Sequence, residues 1–430
     1  MMKNNTNSAK KKTARSRALE SLIALERDGR YSNLEVNSAL VASSLEGADR
    51  GLYTRLVYGV TERRITLDYI IGKYSRLPAH QLDPDVRCAL RMGIYQLVWM
   101  DRIPEHAAVG ESAGLVAKRS TGFVNAILRS FLRDGKTYEL PDKNADFMEY
   151  LSVAYSVPRD LCELLYHSAG DEIEPLLDAM NREPHISLRV NRLKITTEEA
   201  AAKTGGTVSK TAPDIVKVPS LDDTAKAGID EGLWFVQDEA SRIASAAVGA
   251  KPGEIVADTC ACPGGKSFSM AIEMENTGTL YSFDLHKNKL SLIVSGAEKL
   301  GITIIRTGCR DARDPDEALL GRADRVLCDA PCSGLGVIAK KPDIRYKDLS
   351  GVGRLPEIQY PVLCGAAVYV KTGGTLVYST CTINRAENEE IVEKFLAEHP
   401  EFTLTGDGMR TFWPHRDGCD GFFCAVMTKH

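Results

Sequence analysis

At 430 residues the chain is too long for one ordinary domain, and two or three are expected. Hydrophobic residues at 43% and charged residues at 26% give the balance of a soluble globular protein, and no apolar run approaches the roughly 18–20 residues of a membrane span. A net charge of −4 does not announce a nucleic-acid binder, and such a partner would have to be met by local charge.

The first residues are polar and lysine-rich with no apolar core, which does not read as a secretory signal, and a cytoplasmic location is expected. Eleven cysteines at irregular spacing do not form a disulfide framework; buried, catalytic or metal-binding thiols are expected instead. Residues 1–12 read as a disordered basic tail, with Lys3, Lys10, Lys11 and Lys12 continued by Arg15 and Arg17 and no acid among them. Such an arm is either solvated or contacts phosphates without sequence preference.

Residues 13–140 carry helical periodicity. Val86, Ala89, Leu90, Ile94, Leu97 and Val98 recur at helical spacing, Pro104 opens a further helix, and a helix beginning near Gly122 has Phe123, Ile127 and Phe131 on its apolar face. Residues 141–235 read as a connector and a small α+β subdomain. Ile186–Val190 and Ile215–Val218 are strand-like, Gly205, Gly206 and Pro213 punctuate them, and Arg189, Arg192 and Lys194 make the region locally basic. Those cations face RNA or line a solvated strand edge.

Residues 236–430 alternate strand, turn and helix, the pattern of a mostly parallel, doubly wound sheet. Strands are expected at 255–258, 279–284, 302–305, 324–329, 375–379 and 422–426, with Leu290, Ile293, Val294, Ala297 and Leu300 striping a helix. Asp258, Asp284, Asp329 and Cys381 stand at or just past strand ends, where ligands bind in such sheets. Cys260-Ala261-Cys262-Pro263-Gly264-Gly265-Lys266 follows the first strand and opens a helix, so its glycines and free N–H groups suit a cofactor. Gly265-Lys266-Ser267 ends like a phosphate-binding loop. The first glycine of that loop is replaced by Cys260, however, and Pro263 removes an N–H. A zinc site from Cys260, Cys262, Cys328 and Cys332 lacks the usual spacing between thiols. Asp284 is suited to ribose hydroxyls or to capping the segment near Lys287.

Three stretches carry a family resemblance. Asp258–Lys266, Asp329-Ala330-Pro331-Cys332-Ser333-Gly334-Leu335-Gly336-Val337 and Tyr378-Ser379-Thr380-Cys381-Thr382 resemble the signature motifs of RNA cytosine-5 methyltransferases of the Nol1/Nop2/Sun type. Gln237-Asp238-Glu239-Ala240-Ser241 matches that family's lead-in to the catalytic core. Ala14-Arg15, Leu56-Val57-Tyr58-Gly59-Val60, Gln96-Leu97 and Phe123–Arg129 resemble the NusB-like RNA-binding domain. Together they are similar to the bacterial enzymes of this type that act on 16S ribosomal RNA. Cys262 departs from the family, which more often has alanine there.

The resemblance implies an all-α NusB-like domain, a small α+β subdomain and a Rossmann-like methyltransferase domain. It implies methyl transfer from S-adenosylmethionine to cytosine C5 in 16S ribosomal RNA through a covalent Cys–C6 adduct; a monomer without metal or membrane is expected. Transfer RNA as substrate, or a non-catalytic RNA-binding assembly role, are the alternatives. The residues alone leave Cys332 and Cys381 equal as nucleophiles; the resemblance assigns attack to Cys381 and product release to Cys332. It also implies a contact from Asp329 to base N3, with a strand-end acid capping the next turn as the alternative. For the cofactor it implies the turn from Cys260 to Lys266 with Asp284, Asp311 and Asp329. Lys266 either lowers a thiol pKa or orders its loop. Asp311 is implied at the adenine end, with a solvated loop acid as the alternative. Lys340, Lys341, Arg345 and Lys347 after the Pro-Cys pair are expected to hold phosphates, with a solvated basic loop as the alternative.

Overall fold

The computed structural model describes residues 13–29, 32–43 and 45–430. The expected tail at 1–12 lies outside the described residues, while Arg15 and Arg17 fall on the helix Ala14–Asp28. The chain divides into two compact units, one running to Glu163 and including Lys341–Lys347, the other formed by Leu164–Lys340 and Asp348–His430.

In the first unit, local signals set the helix ends. Thr13 caps Ala14–Asp28 by accepting from Ser16 N at 3.2 Å, and Gly29 closes it in the left-handed region. Pro84 opens Pro84–Trp99, where a missing N–H costs nothing. Helices Gly47–Glu62, Arg64–Tyr74, Glu105–Gly114 and Lys118–Arg133 share a core that includes Tyr53, Leu56, Ile70, Leu90, Ile94 and Leu128. Gly59 permits a close helix crossing, since a Cβ there would lie 2.1 Å from the Tyr95 ring. The buried stripe of Lys118–Arg133 is Val124, Ile127, Leu128 and Phe131, spaced three, four and seven apart. Phe123 falls one position off that stripe and is 40% exposed, contrary to expectation. Helical structure continues past residue 140 in this unit, through Phe147–Tyr155, whose N-cap Asp146 accepts from Glu149 N.

The basic loop after the Pro-Cys pair is committed differently from expectation. Arg345 is 1% exposed and donates to the carbonyls of Glu62 at 3.0 Å and Ser156 at 3.3 Å, at the C-terminal ends of two helices. A cation there meets the negative ends of both helix dipoles. Tyr346 donates to Thr61 O at 2.9 Å, and its ring lies 3.5 Å from the Arg64 guanidinium. Lys340 pairs with Asp238 and Asp420, and of the four cations Lys341 is exposed.

In the second unit, β1 (Ile186–Val190), β2 (Thr207–Val208), β3 (Ile215–Val218) and β4 (Trp234–Val236) form an antiparallel sheet ordered β2-β3-β1-β4. Its cations are internally paired rather than offered to RNA. Arg189 is buried against Asp214 at 2.7 Å and Glu273 at 3.1 Å, and Arg192 reaches Glu273 at 2.6 Å. Lys194 donates to the carbonyls of Glu231 and Lys299.

The larger sheet contains β5 (Ile255–Asp258), β6 (Thr279–Asp284), β7 (Ile305–Cys309), β8 (Ala323–Asp329), β9 (Val370–Thr380), β10 (Phe402–Phe412) and β11 (Phe422–Lys429), ordered β10-β11-β9-β8-β5-β6-β7. Strands β5 to β9 are parallel and β10 and β11 antiparallel. Alternate residues enter opposite cores: Ala257, Val326, Leu376 and Tyr378 face one, Val256, Leu327 and Val377 the other. Strand β7 begins three residues later than expected. Ile302 and Ile304 are buried on the approach, but the paired residues of this edge strand are largely exposed, so the apolar run marks the approach and not the strand. Strand β10 was not foreseen, and Val294 is 43% exposed off its helix stripe.

Arg345→Met removes a cation from two helix ends. It should destabilise the helical unit by roughly 2–3 kcal/mol, read as faster hydrogen exchange of the Gly47–Glu62 amides. Unchanged exchange would show that water replaces the guanidinium without loss.

Candidate active site

The chain runs outward through β5, β6 and β7, then returns to place β8 against the other side of β5. That reversal is the topological switch point, where a doubly wound sheet opens a crevice at its carboxyl edge. Asp258 ends β5, Asp284 ends β6, Asp329 ends β8, and Cys381 follows β9. Register places Asp329 opposite Ser379, so the Pro-Cys and Thr-Cys turns leave adjacent strands at the same level.

That register brings the two thiols together. Cys332 Sγ and Cys381 Sγ lie 3.2 Å apart, each partly exposed. The turns are tied by Ala330 N donating to Ser379 O at 2.9 Å and Gly336 N donating to Cys381 O at 3.0 Å. Beside them, Asp329 accepts through one oxygen from Ser379 Oγ and through the other from Lys266 Nζ, both at 2.7 Å. Lys266 also lies 5.1 Å from the Phe422 ring centroid. Burial works against its charge, but Asp329 outweighs burial, with help from Cys381, and holds its pKa above the usual value.

The hydrogen bond shared with Cys381, with burial, pushes the Cys332 thiol well up. Burial likewise pushes up Cys260 and Cys328, and raises Cys262, beside Asp284, to about 12. These thiols stay protonated at neutral pH and are poor nucleophiles.

The Gly-rich turn is fastened at both ends. Cys262 N donates to Asp284 Oδ2 at 3.1 Å, and Ala261 N donates to Phe283 O at 2.8 Å. Gly264 takes φ +113°, and the helix Gly265–Glu273 has no side-chain cap, so its first N–H groups face the crevice end of the sheet without one. Gln237 donates to Gly265 O at 3.0 Å and accepts from Ser269 Oγ. Asp284 therefore braces the turn and also accepts from His286 N. Asp311 stands apart from this network; it holds Arg313 in a two-pronged pair at 2.9 and 2.6 Å, which keeps its carboxyl below the usual range. Among the described residues no group of three or more His, Cys, Asp or Glu side chains has metal-holding geometry, and no helix is long and apolar enough to cross a membrane.

Comparison with known proteins assigns this architecture. The model of the 16S rRNA methyltransferase RsmB/F family matches residues 246–428, that of the NusB family residues 12–133, and that of the ferredoxin-like domain of RsmF/B-like methyltransferases residues 157–204. A Bacillus subtilis protein named probable ribosomal RNA small subunit methyltransferase B is 37% identical, over 98% of this chain and 99% of its own length. This chain belongs to the RsmB/F family of 16S rRNA methyltransferases. Ribosomal RNA small subunit methyltransferase B of Vibrio vulnificus is 30% identical over 90% of the chain and 92% of its own length. The crystal structure of PH0851 superimposes with a TM-score of 0.79 at 29% identity, covering 96% of this chain and 99% of that one. NSun6 from Pyrococcus horikoshii shares the fold, with a TM-score of 0.56 at 22% identity over 63% of this chain and 98% of its own.

For this RsmB/F member, several structural partners of the site were missed in the sequence. Ser379 orients Asp329, Ser267 links Asp258 to Ser282, and Glu387 is buried between the two thiol-bearing turns. Ser379 lies in the quoted motif, but its bond depends on strand register. The acids and amides of Asn384–Asn388 carried no spacing signal.

Asp258 gives a pH prediction. Burial pushes its carboxyl up to about 7, against the opposing hydrogen bond from Ser267. An unfolded Asp titrates near ~3.9, so over the intervening range the folded chain holds a proton that the unfolded chain releases. This group's contribution to stability is thus full below about pH 4 and lost as pH rises through about 7. Asp258→Asn should remove that dependence. Its stability relative to wild type should rise between pH 5 and 7 by up to ~1.4 kcal/mol per unit in urea unfolding, whereas a constant difference contradicts the assignment.

Proposed function

We propose that this RsmB/F chain transfers a methyl group from S-adenosylmethionine to C5 of a cytosine in 16S ribosomal RNA, with Cys381 as the nucleophile. The observation that carries the reading is the 3.2 Å approach of Cys381 to Cys332 beside the Asp329–Lys266 pair. Cytosine C5 attacks a methyl group poorly until a thiolate adds to C6 and makes the ring an enamine; the same thiolate leaves at the end. Support for Cys381 comes from its neighbours. Lys266 brings positive charge to it, while Cys332 is held protonated.

The cofactor supplies an electrophilic methyl group. The fastened turn from Cys260 to Lys266 fits it: the uncapped helix start suits a carboxylate and Asp284 suits ribose hydroxyls. Asp311 is assigned to the adenine end, which requires its carboxylate to share or leave Arg313. Asp329 is assigned to the base edge near N3. Both its oxygens already accept hydrogen bonds, so Lys266 and Ser379 hold it in one orientation. In the ring after attack, Cys381 Sγ is bonded to C6 and negative charge spreads toward N3. Once C5 carries the methyl group, its proton passes to solvent water, the C–H electron pair restores the C5–C6 double bond and the Cys381–C6 bond breaks with its pair on sulfur. Cys332 is assigned to assist that release, its thiol being close enough to protonate the departing sulfur. A base inside a helix cannot reach this crevice, so a flipped or single-stranded cytosine is the substrate form. The NusB-like unit is assigned to holding the RNA.

Two variants test the division of labour. Cys381→Ala should abolish methyl transfer and retain cofactor binding by calorimetry. Cys332→Ala should accumulate a protein–RNA adduct that survives denaturing electrophoresis. The adduct in Cys381→Ala instead would reverse the roles. Separately, Lys266→Met should move iodoacetamide labelling of Cys381 to higher pH. An unshifted profile leaves Lys266 as a group that orders the turn.

A further inference from the structure

Glu387 is fully buried between the two thiol-bearing turns. Its carboxylate accepts from Ser333 N at 2.8 Å and from Ser333 Oγ at 2.6 Å, one residue past Cys332. From the other turn it accepts from Thr382 Oγ1 at 3.4 Å, one residue past Cys381, and from Asn384 Nδ2 at 3.0 Å. Gln359 Nε2 donates to it at 3.0 Å and to Pro331 O at 2.9 Å. Its own carbonyl accepts from Tyr378 OH at 2.7 Å, on the strand that delivers Cys381.

Among the described residues no cation pairs with this carboxylate; its partners are neutral donors. Burying a carboxylate without a counter-ion is costly, and it persists only where several charge-assisted hydrogen bonds converge. Here they converge from both turns, beside a direct hydroxyl tie between Ser333 Oγ and Thr382 Oγ1 at 2.8 Å, so breaking the cluster would loosen each turn from the other. The two main-chain ties already described hold the turns elsewhere, but neither touches the residues immediately after the thiols.

We propose that Glu387 is a positioning residue: it fixes the separation of Cys332 and Cys381 by receiving donors from the residue that follows each. The proposal rests on the two-thiol reading above. Nucleophile addition and release both act on one sulfur–carbon bond, so a drift of one thiol by an ångström costs rate while leaving cofactor binding intact. The pattern also accounts for a carboxylate at this position. A glutamine would present an N–H to a donor on one side and lose that tie.

The test separates spacing from chemistry. Phenylarsine oxide condenses with two close thiols, forming two As–S bonds and releasing water, so its affinity reads thiol separation in the full-length protein. The relevant signal is the part lost in Cys332→Ala and in Cys381→Ala. Glu387→Gln should weaken that arsenical affinity at least tenfold and lower kcat on 16S ribosomal RNA at least tenfold. The Kd for S-adenosylhomocysteine should stay within twofold of wild type. Arsenical affinity within twofold of wild type overturns the positioning role, as does a parallel fall in kcat and cofactor affinity. If Glu387→Gln does not fold, Ser333→Ala keeps the main-chain tie to Glu387 and removes the hydroxyl ties to Glu387 and Thr382. It should move the same quantities in the same direction by a smaller factor, and an unchanged arsenical affinity there also overturns the role. Arsenical binding does not depend on methyl transfer, so a missing Cys332→Ala adduct with an intact Glu387 effect sinks the two-thiol chemistry and leaves the spacing role standing.

Discussion

The pairing of β8 with β9 is the constraint on which the site depends. Both strands are buried on both faces over their last turns, so a slip of one residue would send Val326 and Leu327 into the wrong cores. The hydrophobic alternation therefore fixes Asp329 opposite Ser379. From that level the two turns emerge side by side, and the thiols meet although they are 49 residues apart in the chain.

Charge at the same edge is arranged to keep most groups quiet. Buried thiols around the crevice are pushed toward protonation by desolvation, whereas Lys266 brings a cation to Asp329 and Cys381. Cys381, the proposed nucleophile, is thereby distinguished from the other cysteines by its neighbours rather than by its residue type. The same economy governs the rest of the chain. Arg189, Arg192, Lys194, Lys340 and Arg345 look like an RNA-facing set when read as charge, yet each is used internally, against carboxylates or helix-end carbonyls. A basic residue in a sequence does not say whether phosphate, carboxylate or carbonyl will satisfy it.

The helical unit and the doubly wound sheet were legible because periodicity and turn chemistry are local properties. Thr13 and Gly29 mark helix ends through bonds within four residues and Pro84 through its missing N–H, and the buried parallel strands announce themselves as apolar runs. The edge strand β7 was misplaced because an exposed strand lacks that run, and Phe123 because one residue off a helical stripe turns about 100° away from the core.

By itself the sequence determined the class of each unit, the polar residues at the strand ends and the motifs that carry the family resemblance. Tertiary structure decided which of those residues touch. The approach of Cys332 to Cys381, the bond from Ser379 to Asp329 and the cluster around Glu387 are contacts between segments whose order along the chain carries no distance. They come into being when hydrophobic burial sets the strand register, and a linear pattern holds no record of that register.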